Sequence, residues 1–248
     1  MAKNTESNVY TVLFATGMVV IVGALLAFLA SSLKEKITEN KRIEKQQNIL
    51  YAMGVNDNDE SSVTFISKDI VGEEFSKYIT KQVVITGTDV TEDENAYLID
   101  LKKEEAAAKN KEYQRRLPLF MGMKDNVEYY IIPVRGKGLW DAIWGYVAVD
   151  NQLVVQGVFF DHAGETPGLG SNIKERFFMD DFKGEHFLDG DIFKGISVSK
   201  GNADPKNLDK TDFEVDAIAG STITGDGLAA MLKKDLQLYL PYLKTLKK

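Results

Sequence analysis

The pattern of hydrophobic and polar positions changes period several times along this chain. From Val9 to Ser32 no charged residue occurs, and as a helix that stretch would reach about 36 Å, enough to cross a bilayer. Leu33 to Met53 then sets Leu33, Ile37, Ile43, Ile49 and Leu50 among charged residues, a broken helical pattern that stops at Gly54. Glu73 to Lys81 reads as a helix, Val83 to Thr86 as a strand, and Leu101 to Arg116 as a second, strongly charged helix. The middle of the chain switches to period-two and short apolar runs at Glu128 to Val134, Gly145 to Asp150 and Leu153 to Phe160. The last two of these are joined through Asp150, Asn151 and Gln152, which predicts an antiparallel hairpin. A strand at Ile196 to Lys200 and helices at Lys174 to Phe182 and Ile223 to Leu238 complete the pattern. The class is α+β, one N-terminal transmembrane helix followed by a domain of antiparallel strands with packed helices.

A cleaved signal peptide needs a basic start, a shorter apolar core and a small-x-small cleavage site. Here Glu6 offsets Lys3, the apolar core is too long, and Phe28 stands where a small residue should precede Ala30. The expected division is therefore a tail at 1–8, a retained span at 9–32, a stalk helix at 33–54 and one domain at 55–248. Lys34, Lys36, Lys41, Arg42 and Lys45 follow the span, and counting basic residues alone keeps that side cytoplasmic.

Composition removes several function classes. The net charge of -7 and pI near 5.1 leave no basic patch for phosphate backbones, so nucleic acid is not an expected partner. With no cysteine there is no thiolate iron-sulfur cluster, zinc ribbon or disulfide, and His162 and His186 are too few for a multi-histidine metal centre. Asn56 to Ser62 is acidic but lacks the glycine and distant glutamate of a calcium loop, and no metal site is expected. Redox work by this chain would need an organic cofactor.

Three glycine-bearing loops punctuate the domain: Arg135 to Asp141 (RGKGLWD), Asp161 to Asn172 (DHAGETPGLGSN) and Asp216 to Thr224 (DAIAGSTIT). Each borders an element that could place it beside the other two around a single pocket. The first is equally well read as a plain turn. In the third, Ser221 or Thr222 could simply cap the C-terminal helix. The same helix start, with free backbone N–H groups, a favourable dipole and small residues, also suits a phosphate. It is not a Walker loop, because no lysine follows glycine in the required place.

DAIAGSTIT resembles the flavinylation motif of the FMN-binding domain family, in which a threonine carries FMN through its phosphate. Asp216 matches the leading aspartate, Ala219, Gly220 and Ser221 the small positions, and Thr222 the esterified threonine. The usual serine and alanine stand exchanged as Ala219 and Ser221, which makes Ser221 a rival attachment atom. ETPGLG (Glu165 to Gly170), the GLW loop (Gly138 to Trp140), the span and the C-terminal threonine together resemble the C subunits of the sodium-translocating NADH:quinone oxidoreductases. The related G subunits of Rnf electron transport complexes share these features but are usually shorter.

The resemblance implies a covalent FMN on Thr222, attached by a separate, Mg-dependent flavin transferase that recognises Asp216 and takes FAD as donor. It implies that Glu165, Thr166, Leu169 and Gly170 pack around the flavin, with Leu139 and Trp140 on another side and Thr224 hydrogen-bonding a phosphate oxygen. Lys200 is implied near the cofactor, although an exposed lysine needs no such explanation. His162 is read as organising its loop more readily than as a proton donor. The implied work is electron transfer between other members of the complex, coupled to sodium export, with no general base required of this chain. The soluble domain is implied to lie on the periplasmic side of the bacterial inner membrane, against the basic-residue count. A non-redox, membrane-anchored binding module stands as the distant alternative.

Overall fold

The computed structural model describes residues 7–59, 62–201, 204 and 207–247, so most of the expected tail at 1–8 lies outside the described residues. Span and stalk form one helix, α1 (Asn8–Ala52), whose apolar N-terminal part is long and hydrophobic enough to cross a membrane. The chain divides into two compact units, Arg42 closing the first and Ile43 opening the second. In the first, Val9 through Leu29 present exposed apolar side chains, the surface expected of a helix solvated by lipid.

In the second unit the last turns of α1 bury Ile49, Leu50, Tyr51 and Ala52 in the core. There follow α2 (Val71–Tyr78), β1 (Ile79–Thr86), β2 (Asp89–Glu92), α3 (Leu101–Ala107), β3 (Arg116–Lys124), β4 (Val127–Lys137), β5 (Ala142–Val149) and β6 (Val155–His162). The six strands form one antiparallel sheet in the order β2-β1-β3-β4-β5-β6. The expected hairpin is β5 and β6, registered from Ile143 opposite His162 to Val149 opposite Val155. The class is α+β, as the pattern implied.

Several boundaries differ from the expectation. The charged helix ends at Ala107 instead of reaching Arg116. Asp100 caps its start by accepting from the backbone of Lys102 and Lys103, and buried Glu104 then draws the chain back. Its carboxylate accepts from the Arg116 backbone at 3.0 Å, Arg116 Nε at 2.9 Å and the Tyr113 hydroxyl at 2.7 Å. Arg116 therefore opens β3, a strand hidden in the sequence by Pro118 and by the helix expected before it. Lys174 to Phe182 contains one turn of α-helix, α4 (Arg176–Met179), between two 3-10 turns.

The strand expected at Ile196 to Lys200 is shorter. Past a small hairpin of β7 (Leu188–Asp189) and β8 (Ile192–Phe193), β9 (Ser197–Val198) pairs in parallel with β10 (Glu214–Val215). The C-terminal helix α5 runs Thr222–Leu246, beyond the expected end at Leu238. Pro241 sits inside it, and the buried face continues across the proline through Leu240 and Leu243. That face lies against β4 and carries the loop at its N-terminus to the sheet end where β4 turns into β5.

Candidate functional site

The three loops meet. A cavity of about 240 Å³ is lined by Leu139 from the first, by Glu165, Thr166, Leu169 and Gly170 from the second, and by Gly220, Ser221, Thr222, Ile223 and Thr224 from the third. Trp140 is not in the lining but belongs to the same cluster, its indole Nε1 donating to Thr166 Oγ1 at 3.2 Å while the residue as a whole stays 67% exposed. Lys200 is exposed beyond the end of β9 and is not in the lining. Asp216 also stands off it, partly buried, its carboxyl pushed up by burial and by Asp204 against the pull of Lys210.

Glu165 ties the loops together. Only 4% exposed, it accepts the Trp140 backbone N–H on Oε1 at 2.9 Å and the Thr224 hydroxyl on Oε2 at 2.6 Å. Burial pushes its carboxyl up, but the hydrogen bonds from Thr224 and from the backbone of Trp140, Asp141 and Leu139 outweigh that and hold it below its ordinary value. Charge-assisted bonds of this kind are about twice as strong as neutral ones. A Cβ on Gly170 would lie 2.5 Å from Thr224 Oγ1 and 2.6 Å from Glu165 Oε2, and one on Gly138 would lie 2.5 Å from Glu165 Oε1. Both glycines are needed to let the backbone close around the carboxylate. His162 accepts the Glu165 backbone N–H on Nδ1 at 3.1 Å, the loop-organising part expected of it.

At the start of α5 the hydroxyls have separate environments. Gly220, at φ +72°, makes the left-handed turn that enters the helix, and Ser221 occupies the N-cap position. Ser221 accepts the first helical bond on its carbonyl, from Gly225 N at 2.9 Å, but its side chain makes no capping bond. Its Oγ is buried at the cavity without a protein partner. Capping therefore does not account for the serine, since a buried hydroxyl without a partner costs about 1–3 kcal/mol. Thr222 is exposed on the cavity lining. Thr224 differs from the expectation of a hydroxyl free for phosphate, because it is buried and already donates to Glu165.

Residues 138–237 match the FMN-binding domain family, an interval that contains every residue lining the cavity. The solved structure of the C subunit of the Na(+)-translocating NADH-quinone reductase from Parabacteroides distasonis superposes with a TM-score of 0.71 at 30% identity, covering 85% of this chain and 96% of that one. The chain belongs to this family, NqrC. The solved NqrC of Shewanella oneidensis superposes with a TM-score of 0.66 at 26% identity, covering 83% of this chain and 99% of that one. The corresponding protein of Pseudomonas aeruginosa is 28% identical, covering 92% of this chain and 91% of its own length.

Within this NqrC fold, Ile223 and Gly138 are site residues that the pattern does not single out as such. Ile223 lines the cavity simply because it lies between two threonines that do, and Gly138, seen in the sequence as part of the GLW motif, packs against Glu165, a contact the motif does not indicate. The bond between Thr224 and Glu165 joins positions 59 residues apart, and nothing local in the sequence signals it.

Proposed function

We propose that this NqrC family member carries FMN esterified through its phosphate to Thr222 Oγ1 and relays electrons between other members of an NADH:quinone reductase complex that exports sodium. The observation that carries the reading is the uncapped start of α5 in the cavity, with Ser221 Oγ buried, unpartnered and beside Thr222. The first N–H groups of a helix have no intrahelical partner, and its dipole favours an anion there. A phosphate fits that donor set, and Ser221 adds a hydroxyl to it. The cavity, about 240 Å³, is smaller than the ~300–1,000 Å³ of a site that encloses a whole small molecule. It suits one part of a cofactor whose remainder lies over exposed Leu139, Trp140 and Leu169.

Bound there, FMN would supply electron transfer with NADH-derived electrons on one side and a quinone-directed acceptor on the other. The chain's own residues position and shield. Glu165 holds the GLW loop and α5 in one arrangement, while Leu139 and Leu169 keep water from one side of the cavity. Thr222 supplies the hydroxyl for a flavin transferase, with FAD cleaved at its pyrophosphate and AMP leaving. Asp216, off the lining but in the same loop, is the residue that enzyme would recognise. Lys200 is left as a solvent-exposed lysine.

The N-terminal part of α1 anchors the protein as a single pass, with the domain on the periplasmic side of the inner membrane. The basic residues after the span, which sit among Glu35, Glu39 and Glu44, count toward the opposite orientation, and this reading follows the family resemblance instead. Coexpression with a flavin transferase tests the proposal. In-gel flavin fluorescence of the denatured chain is the expected result, and its absence in the presence of an active transferase would overturn covalent attachment.

A further inference from the structure

Helix α5 runs back along β4, and the contact changes character from one end to the other. Near the cavity it is backbone-close: a Cβ on Gly227 would strike the Lys137 carbonyl, and one on Gly136 would lie 2.6 Å from Met231 Cβ. Farther along, α5 enters a wedge in the sheet. Strands β3 and β4 pair only from Phe120 opposite Ile131 to Lys124 opposite Val127. Past that point β3 continues on β1 alone, from Leu119 to Arg116, and β4 continues on β5 alone.

Such a splay leaves inward-facing backbone groups without a strand partner, a cost that must be met some other way. Two side chains of α5, one turn apart on one face, meet it. Asp235 Oδ2 accepts the Arg135 backbone N–H at 2.7 Å, and the Tyr239 hydroxyl donates to the Pro118 carbonyl at 3.0 Å. Asp235 is 1% exposed, and its charge is balanced by Arg115 Nη1 at 3.6 Å and Lys234 Nζ at 3.4 Å on the other oxygen. Glu105 braces the same cluster through Arg135 at 3.0 Å and Lys234 at 2.5 Å.

The apolar residues of this helix face, Leu228, Leu232, Leu236 and Leu243, are buried too, but hydrophobic burial has no direction and tolerates sliding. Two hydrogen bonds to fixed backbone atoms do not. A slip of one residue moves a helix about 1.5 Å along its axis and turns it by about 100°, and would break both.

We propose that Asp235 and Tyr239 are positioning residues that set the axial position and rotation of α5. They thereby determine which hydroxyl at its N-terminus, some 20 Å away by helical rise, faces the cavity. The consequence for flavin attachment rests on the functional reading above, whereas the seating of the helix does not.

The test uses the full chain in detergent, with Asp235→Leu (similar in size, no acceptor), Asp235→Asn (acceptor kept, charge removed) and Tyr239→Phe. Backbone hydrogen exchange in the 218–228 segment is read on protein made without transferase. The initial rate of flavin incorporation at Thr222 is read on protein incubated with transferase and FAD. Asp235→Leu is expected to raise exchange in 218–228 and lower the incorporation rate, each by about tenfold, as loss of a hydrogen bond to a charged group implies. Asp235→Asn is expected to restore both in part, because it keeps the acceptor for Arg135 but sets an amide NH2 against Arg115 and Lys234, and Tyr239→Phe to shift both by roughly threefold, the smaller effect of a neutral bond.

A folded Asp235→Leu protein with wild-type exchange would overturn the proposal. So would an Asp235→Asn protein as defective as Asp235→Leu, because the effect would then follow the charge and not the seating bond. Should Asp235→Leu fail to fold, Tyr239→Phe decides, and unchanged exchange at 218–228 in that variant is the contrary result. Absence of flavin from the wild-type chain would sink the functional reading while leaving the exchange measurements to judge the seating.

Discussion

Two buried glutamates in this domain have opposite electrostatic fates, and the contrast shows what the cavity requires. Glu165, at the cavity, accepts from the Thr224 hydroxyl and from several backbone N–H groups, and its carboxyl is held below the ordinary range. Glu185 is fully buried beneath the segment that leads to β10. It accepts from Asn207 Nδ2 at 2.9 Å and faces Lys210 Nζ at 3.4 Å, but its Oε2 has no hydrogen-bond partner. There burial outweighs Asn207 and Lys210, and the carboxyl is pushed up to about 7. Burial is common to both, so the number and quality of donors decides the charge state. The cavity end of the domain is built to keep an anion in place, whereas the Glu185 end carries a carboxyl that its surroundings satisfy only in part.

The largest expected effect comes from removing the better-satisfied group. Glu165→Ala strands buried donors from two loops, at a cost of about 3 kcal/mol, or about 6–12 °C in Tm for a domain of this size. Thermal denaturation of the full chain measures it, and a shift of under a degree would mean that Glu165 is not the tie between the loops. Glu185→Gln is expected to act more weakly and in the opposite direction above neutral pH. It retains the acceptor for Asn207 and removes an unfavourable charge, raising Tm by about 2–4 °C at pH 8.

The same pair separates by pH. For Glu185 the folded value, about 7, lies above the unfolded 4.5. The folded state then holds the proton more tightly, so stability falls as pH rises from 4.5 to 7, by an amount on the order of 1–3 kcal/mol. For Glu165 the folded value lies below 4.5, so its contribution is present above that pH and is lost as pH falls through the folded value. Denaturant titrations across this range should show the upper limb flattened in Glu185→Gln and the acid limb flattened in Glu165→Gln. The reverse assignment would break the comparison.

The smallest effect belongs to the apolar wall beside Glu165. Leu169→Ala opens one side of the cavity to water, and a bound flavin is expected to show a shifted absorption spectrum and potential with its covalent bond intact. An unchanged spectrum would place the ring elsewhere.

The sequence made legible whatever rests on local pattern. The long apolar N-terminal helix, the β5–β6 hairpin through Asp150 to Gln152, and the start of α5 near Ser221 all follow from period, turn chemistry and residue type, although Ser221 makes no capping bond. Strand β3 did not, because Pro118 argues against a strand and because Arg116 is drawn out of the charged helix by Glu104, a bond visible only once the chain has folded back. Helix α5 outran its expected end because its buried face continues past Pro241.

The three glycine-bearing loops singled out in the sequence do line one cavity, but the motif did not record the division of labour within them. Thr222 and Thr224 look alike in sequence, yet one is exposed on the lining and the other is bound to Glu165. Asp235 lies among Leu232, Lys233, Lys234 and Leu236, where a single acidic residue on an apolar face is visible. Its partner, the Arg135 backbone N–H, depends on a splay in the sheet that no sequence pattern records.

Peptide mass spectrometry of the flavinylated chain tests the central claim most directly, since it locates the modification among Ser221, Thr222 and Thr224. The expected result is FMN on Thr222, its loss in Thr222→Ala, and its retention in Ser221→Ala, where the unpartnered hydroxyl is removed but the attachment atom remains. A modification on Ser221 or Thr224, or one that persists in Thr222→Ala, would contradict it.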